Sequence, residues 1–295
     1  MNLKKFRYVL TLADEGSFSR AAETLNIKQP SLSQYIKKIE KEVGMELFDR
    51  SGGDVRLTDA GRAYIDVGRR MLDLEHQLEG RFSDLATFKT GSIDIGISAH
   101  RSVALMPPIV YSFKSLYPGV TLRIVEQRRA DLIEAAMHGE FDLVVTTLPV
   151  DTDFFTYETL FIEENVVATK EIIKEEEMEG KKFPIISASS LNHLSFAMLN
   201  EDHLMQRELE ELIKANGLKL KKEVECTSLD ALVEMVKAGV GSAFIPACLA
   251  KDTNLHYYSI KEAVPKREIV IMYRKEQYLS KAVLDLKELM HRTLG

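Results

Sequence analysis

"GSFSRAAETLNIKQPSLSQYIKKIEKEVG", Gly16–Gly44, holds two short amphipathic segments separated by a few residues. Ser17 has the short hydroxyl that suits a helix N-cap. Phe18, Ala21, Ala22 and Leu25 then fall on one inward face. The second segment opens with Gln29-Pro30, and proline fits a first helical turn because the N–H it lacks would be unpaired there anyway. Leu32, Ile36, Ile39 and Val43 follow at steps of four, three and four, and Gly44 is a natural stop. Upstream, Leu3, Phe6, Leu10 and Ala13 predict one face of a preceding helix. Two helices joined by a tight turn, the second with a freer outer face, have the layout of a helix-turn-helix.

Gln29, Pro30, Ser31, Ser33 and Gln34 lie at the exposed start of the second helix. Their glutamine and serine side chains suit base edges in a major groove. Lys37, Lys38 and Lys41 suit phosphates. Taken alone, the same residues are better explained as a solvated helix face; the two-helix spacing and the segment that follows raise the DNA reading. That segment, "MELFDRSGGDVRLTDAG" (Met45–Gly61), places the turn residues Ser51-Gly52-Gly53-Asp54 between two short strand-like runs. A hairpin there forms a wing beside the second helix, with Arg50 and Arg56 as phosphate or minor-groove contacts.

From Leu57 the period lengthens. Leu57, Ala60, Tyr64, Val67, Met71, Leu74, Leu78, Leu85 and Phe88 keep alternating steps of three and four, interrupted only at Arg81. Sustained spacing of this kind predicts a coiled-coil seam. Thr58 can cap its start. Some thirty residues make a rod of about 45 Å. Gly61, Gly68 and Gly80 each weaken an isolated helix by up to about 1 kcal/mol, so the rod needs packing support. Pairing with a second chain explains so narrow and long a seam better than burial within a monomer.

The chain of 295 residues is long enough for two domains. Its net charge of −6 argues against nucleic acid at first sight. The charge is uneven, however: residues 1–65 carry 11 Lys/Arg against 9 Asp/Glu, whereas the remaining 230 carry 28 against 36. Contact with DNA therefore depends on a local patch. No apolar run approaches the roughly 20 residues of a membrane span. The N-terminus has no long apolar stretch after its lysines, which predicts a cytoplasmic protein without membrane partners. Two cysteines, Cys226 and Cys248, make neither a disulfide scaffold nor a zinc cluster, and buried structural thiols are the favoured reading.

Residues 91–295 alternate between strand-like and helix-like runs. Strands are predicted at 92–98, 120–126, 141–147, 165–169, 184–188, 222–226, 242–246, 257–260 and 268–274. Helices are predicted at 102–116, 130–138, 203–216, 228–238 and 280–292. Such alternation implies an α/β region with a mainly parallel sheet covered by helices on both faces.

Residues 1–61 resemble the DNA-binding domain of LysR-type transcriptional regulators. The resemblance rests on "FSRAAETLNIKQPSLSQYIKKIEKEVGMELFDR" followed by "VRLTDAG". Gly53 and Asp54 depart from it, standing where basic wing residues are frequent, as does Gln34, where arginine is frequent. "GSIDIGIS…LMPPIVYSFKSLYPGVTLRI", "GEFDLVV", "LVEMVKAGVGSAFIP" and "REIVIMYRK" extend it over nearly the whole chain. The resemblance implies a winged helix-turn-helix (1–57), a linker and dimerisation helix (58–90) and an effector domain (91–295). The last resembles periplasmic binding proteins, with lobe I at 91–162 and 266–295 and lobe II at 163–265. Crossing strands fall near Leu160–Asn165 and Val264–Glu268. The resemblance also implies a homodimer or homotetramer on a dyad-symmetric DNA site, contact with RNA polymerase, and a small-molecule effector between the lobes.

Open α/β sheets bind ligands beyond the carboxyl ends of their strands. With the family's pocket on these loops, the effector candidates are Ser98, His100, Arg101, Ser102, Thr146, Phe196 and Thr227. The hydroxyls and Arg101 hint at an anionic effector, and the helix after Ser98 offers its N-terminal amides. Each candidate has another reading. Ser102 and Thr227 equally cap helices, Thr227 forming a capping box with Asp230. His100 equally sits on a surface loop, Arg101 pairs with a carboxylate, and Phe196 belongs to a core. A solute-binding protein is opposed by the N-terminal head. An enzyme is opposed by the lack of a phosphate-binding glycine loop, an HExxH site and a G-x-S-x-G elbow. No catalytic residue, metal site or cofactor is therefore expected.

Overall fold

The computed structural model describes residues 3–50, 55–85, 90–174, 182–201, 203–262 and 266–294. The head consists of α1 (Lys4–Glu15), α2 (Phe18–Thr24) and α3 (Gln29–Val43) around one apolar core. Gly16 leaves α1 in the left-handed region (φ 59), where a side chain would be strained. Asn26 does the same (φ 52) in the turn before α3, a conformation asparagine tolerates better than most residues.

The inward face of α1 is Leu3, Phe6, Val9 and Leu12; Leu10 and Ala13 lie half-buried at its margin. Steps of three let the stripe drift, and α1 serves two neighbours at once. Val9 and Leu12 enter the head's core, while the Phe6 ring meets Tyr64 of the linker helix at 5.0 Å. Ser17 occupies the N-cap of α2 with an extended backbone, but its hydroxyl makes no capping bond. Leu32, Ile36 and Ile39 are buried as their spacing predicts, whereas Val43 is exposed in the last turn before Gly44 (φ 76).

A two-stranded wing follows, β1 (Phe48–Asp49) pairing antiparallel with β2 (Arg56–Leu57). The turn expected at Ser51-Gly52-Gly53-Asp54 lies outside the described residues. α4 (Asp59–Leu85) starts where Thr58 Oγ1 accepts from the Gly61 amide (3.0 Å) and donates to the Glu46 carbonyl (2.7 Å). Two of its glycines exist for close approach. A Cβ on Gly61 would meet the Leu47 carbonyl oxygen at 2.1 Å, and one on Gly68 would meet the Phe6 ring at 2.8 Å. Leu57, Ala60 and Tyr64 pack on the head's core. Beyond them Val67, Met71, Leu74, Leu78, Phe82 and Leu85 are exposed, one apolar stripe without a partner among the described residues. Phe88 falls outside them.

The C-terminal region runs β3 (Gly91–Ile97), α5 (Ala99–Leu116), β4 (Val120–Glu126), α6 (Arg129–Met137), β5 (Leu143–Thr147) and β6 (Phe155–Glu163). It continues through β7 (Asn165–Thr169), β8 (Ile185–Ile186), β9 (Ser195–Leu199), α7 (Leu204–Asn216), β10 (Lys221–Cys226) and α8 (Leu229–Ala238). β11 (Ala243–Pro246), β12 (His256–Ile260), β13 (Arg267–Arg274) and α9 (Lys281–Leu294) complete it. One sheet has the order β4-β3-β5-β13-β6, and the other β11-β7-β12-β8 with β9-β10 alongside, joined by a bridge between Phe196 and Ser242.

These sheets are mixed rather than mainly parallel. β3 runs parallel to β4 and β5, but β13 is antiparallel to both β5 and β6, and β7 to both β11 and β12. The chain leaves the first lobe through β6 and re-enters through β13, and these two strands pair with each other in opposite directions. Between β6 in one sheet and β7 in the other stands only Glu164. The β6 segment FTYETLFIE does not keep a strict period of two: Phe155, Leu160 and Glu163 are its buried residues, and its pairing with β13 shifts register between Ile269 and Val270. Read from sequence it counts only as a crossing, and β9 is missed as well.

α4 is fastened to the first lobe. Asp73 pairs with Arg274 at 2.6 Å, and Asp84 accepts from Tyr278 Oη (2.7 Å) and the Lys281 amide (3.1 Å). Gly139 (φ 79) admits the Asp73 carboxyl, which a Cβ there would meet at 2.6 Å. His76 Nε2 lies 3.1 Å from both oxygens of Asp142.

Candidate DNA-reading face and inter-lobe site

Along the outer face of α3, Gln29, Pro30, Ser31, Gln34, Lys37 and Lys38 are exposed and Ser33 is half-buried. Pro30 sits in the first turn, which carries no acidic residue. Lys28 precedes it and Lys41 lies in the last turn. A rod of this width carrying hydrogen-bonding side chains at one end and lysines along its flank fits a major groove. The wing arginines are less free than their sequence suggests. Arg50 Nη2 pairs with Glu40 Oε2 at 2.8 Å, and its guanidinium lies 5.1 Å from the centre of the Phe18 ring. Arg56 is exposed on β2, directly across from Asp49.

Between the lobes, α5 begins beyond Ser98, whose backbone is extended and whose hydroxyl does not cap the helix. Ser98 Oγ instead accepts a long bond from Arg101 Nη1 (3.4 Å). Arg101 is buried and gives Nη2 to Glu163 Oε2 at 2.7 Å. Glu163 ends β6, and its neighbour across the sheet is Arg267. Arg267 forks onto Glu208 of α7, with Nε to Oε1 at 3.0 Å and Nη2 to Oε2 at 2.5 Å. Asn165 Nδ2 donates to the same carboxylate at 2.8 Å. A continuous polar layer thus crosses from α5 through both crossing strands to α7. Two guanidiniums and two carboxylates balance within it, as buried charge demands.

His100 lies at the edge of this layer. Burial, reinforced by Arg101, His203 and Arg267, pushes its pKa down to about 3, so its ring is neutral at ordinary pH. His203 is lowered for the same leading reason, and its Nδ1 accepts from the Met205 amide. His100 Nε2, Arg101 Nε, Glu163 Oε1 and Asn165 Oδ1 are buried without a hydrogen-bond partner in the protein. Four buried atoms, both donors and acceptors, thus stand unused within this one layer.

The remaining effector candidates separate. Ser102 is buried within α5 and caps nothing; Thr146 is buried in β5. Phe196 is fully buried in the second lobe's core and walls no cleft, because β9 carries it between α8 and β11. Thr227 is exposed and does not form the expected capping box. Ser228 is the N-cap of α8, its Oγ accepting from the Ala231 amide. Glu163, Asn165, His203, Glu208 and Arg267 escaped sequence reading. Glu163, Asn165, Glu208 and Arg267 are isolated polar residues whose partners lie far along the chain, whereas His203 caps α7 locally.

The cysteines are half-buried rather than fully buried. Burial pushes both thiols up, and the neighbouring Glu163 carboxylate raises Cys248 further. Among the described residues, His76, Asp94 and Asp142 bring ligand atoms within 4.8 Å of one another. That group is already balanced. Arg123 forks onto Asp94 at 2.5 Å, and Asp142 accepts from His76 and from the Asp94 amide (2.8 Å). Its evident work is to hold α4 against the first lobe. Among the described residues no helix is long and apolar enough to cross a membrane.

Comparison with known proteins gives two family matches. Residues 3–62 match the family described as bacterial regulatory helix-turn-helix protein, lysR family, and residues 87–295 match the LysR substrate binding domain. An uncharacterized HTH-type transcriptional regulator, YcgK of Bacillus subtilis (strain 168), is 31% identical, covering 100% of this chain and 95% of its own. The hydrogen peroxide-inducible genes activator of Haemophilus influenzae is 28% identical, covering 93% and 91%. The crystal structure of CbnR, a LysR family transcriptional regulator, superposes with a TM-score of 0.66 at 19% identity over 100% of both chains. A full-length OxyR variant from Pseudomonas aeruginosa gives 0.65 at 24% identity, covering 100% and 94%. CbnR has also been solved in complex with its target DNA (TM-score 0.65, 18% identity, 100% of both chains). The family is one of regulators rather than enzymes, and this chain belongs to it: a LysR-type transcriptional regulator with a helix-turn-helix DNA-binding domain and an effector-binding domain.

Proposed function

We propose that the chain acts in the cytoplasm as a homodimer joined through α4, placing two copies of α3 on a dyad-symmetric DNA site. The unpartnered apolar stripe from Val67 to Leu85 carries this reading, because it is too regular for scattered surface residues and faces away from the head and lobe that hold the rest of α4. Gln29, Pro30, Ser31, Ser33 and Gln34 meet base edges; Lys37, Lys38 and Arg56 meet the backbone. Two such dimers assemble into a tetramer, and the output is contact with RNA polymerase.

The effector is a small polar molecule held in the layer around His100, Arg101 and Ser98. Its anionic group reaches Arg101 or Arg267 by displacing Glu163 or Glu208, which links occupancy to the arrangement of the lobes. Mobility-shift titration over a range of salt tests the DNA assignment. Ser33→Ala or Gln34→Ala should relax base preference. Lys37→Ala should weaken binding to all sequences and reduce the salt slope by about 1. Unchanged binding in all three variants would remove α3 from the interface.

A further inference from the structure

Glu40 lies one turn beyond Lys37 on α3, yet its side chain is bound into the head rather than free. Its backbone carbonyl receives the Gly44 amide (2.8 Å) and the Met45 amide (3.2 Å) where α3 ends. Its side chain then receives the chain as it enters the wing. Oε1 accepts from the Leu47 amide (3.0 Å) and the Phe48 amide (3.3 Å). Oε2 pairs with Arg50 at 2.8 Å, and the Arg50 guanidinium covers Phe18, the first residue of α2. The Glu40 side chain is only 11% exposed, so this carboxylate is held by three donors in a largely dry setting.

Three elements therefore meet at one carboxylate: the reading helix, the first strand of the wing and the start of α2. Each contact constrains the angle at which the wing leaves α3. Arg50 Nη2 is committed to Glu40 and the guanidinium lies over Phe18, so turning the side chain outward onto a phosphate would break both contacts. It would also strand a carboxylate whose other oxygen is committed to two backbone amides.

We infer that Glu40 and Arg50 are positioning residues for DNA reading, setting the wing against α3, and that Arg50 acts through Glu40 rather than by touching the DNA. This rests on α3 being the reading helix, and it goes further by removing Arg50 from the set of backbone contacts.

The test uses the full chain, a duplex selected by the wild-type protein from a random library, and random-sequence competitor. Selection of any preferred duplex establishes reading by the wild type independently of the variants. Glu40→Gln, Arg50→Gln, Arg50→Lys and the double glutamine variant are then titrated over salt, with thermal melts confirming folding. Removing either charge loosens the wing against α3, so each single glutamine variant should lose about tenfold or more in specific affinity. The double variant should be no worse than either single variant. The salt slope should stay at the wild-type value, and Arg50→Lys should lose affinity like Arg50→Gln, because lysine keeps the charge but not the planar fork. A phosphate contact predicts the opposite pattern. Arg50→Gln would then lower the slope by about 1, Arg50→Lys would retain binding, and Glu40→Gln would bind as wild type. That pattern would overturn the inference.

Discussion

Leu74→Glu places a carboxylate in the middle of the exposed stripe on α4, where Leu74 is 62% exposed in the single chain. Full burial of a leucine side chain contributes about 1.5–3 kcal/mol, so pairing across α4 gains about 1–2 kcal/mol at this position from each protomer. The dimer loses that contribution twice. It also acquires two like charges at facing positions of the seam, each paying for removal from water. The dissociation constant should therefore rise by at least about 30-fold, corresponding to about 2 kcal/mol or more for the pair of substitutions. Sedimentation-velocity dilution series give the constant directly. Glu79→Gln, an exposed change elsewhere on the same helix, should leave it within experimental error. Since the exposed residues contribute little to the fold of the single chain, the melting temperature of the dissociated variant should stay close to that of dissociated wild type. A dimer constant unchanged by Leu74→Glu would show that α4 does not carry the interface.

Three further outcomes follow from packing and charge. Gly61→Ala gains up to about 1 kcal/mol in helix propensity but drives a methyl into the Leu47 carbonyl, a backbone atom that cannot step aside; a net loss of about 1–3 kcal/mol is expected on thermal unfolding, and a stabilised variant would contradict the contact. The His76 imidazolium is favoured by its hydrogen bond to Asp142, against desolvation, with Asp94 assisting and Arg123 opposing, and its pKa is raised in the folded protein. A raised folded pKa stabilises fully below the unfolded value of about 6.5 and loses that contribution as pH climbs through the folded value. The melting-temperature gap between wild type and His76→Asn should accordingly narrow from about pH 6 upward, and a gap that widens with pH would refute it. Both thiols are held toward the protonated form, so alkylation of Cys226 and Cys248 at about pH 7.5 should be slower than that of a free cysteine peptide; faster labelling of either would contradict this.

Local rules carried the head. Leu32, Ile36 and Ile39 at helical spacing, Pro30 in the first turn and left-handed Gly44 after the last are short-range features that no distant contact overrides. The fully buried runs of β5 and β7 are equally legible, because a strand buried on both faces has little polar alternation to confuse it, while Ser92-Ile93-Asp94-Ile95 in β3 shows the period of a half-buried strand. The stripe on α4 could be read from its period, but only the packed chain shows where the head's core ends and the unpartnered surface begins.

What the sequence could not determine is which charges meet. Arg101 finds Glu163 at a separation of 62 residues, and Arg267 finds Glu208 at 59. Arg50 turns inward to Glu40 although its position in the wing predicts an outward role. Periodicity reports which face of an element is apolar, since that is settled by residues three or four apart. The partner of a buried ion is settled by how two lobes and a returning strand close on one another, and no local pattern encodes that closure.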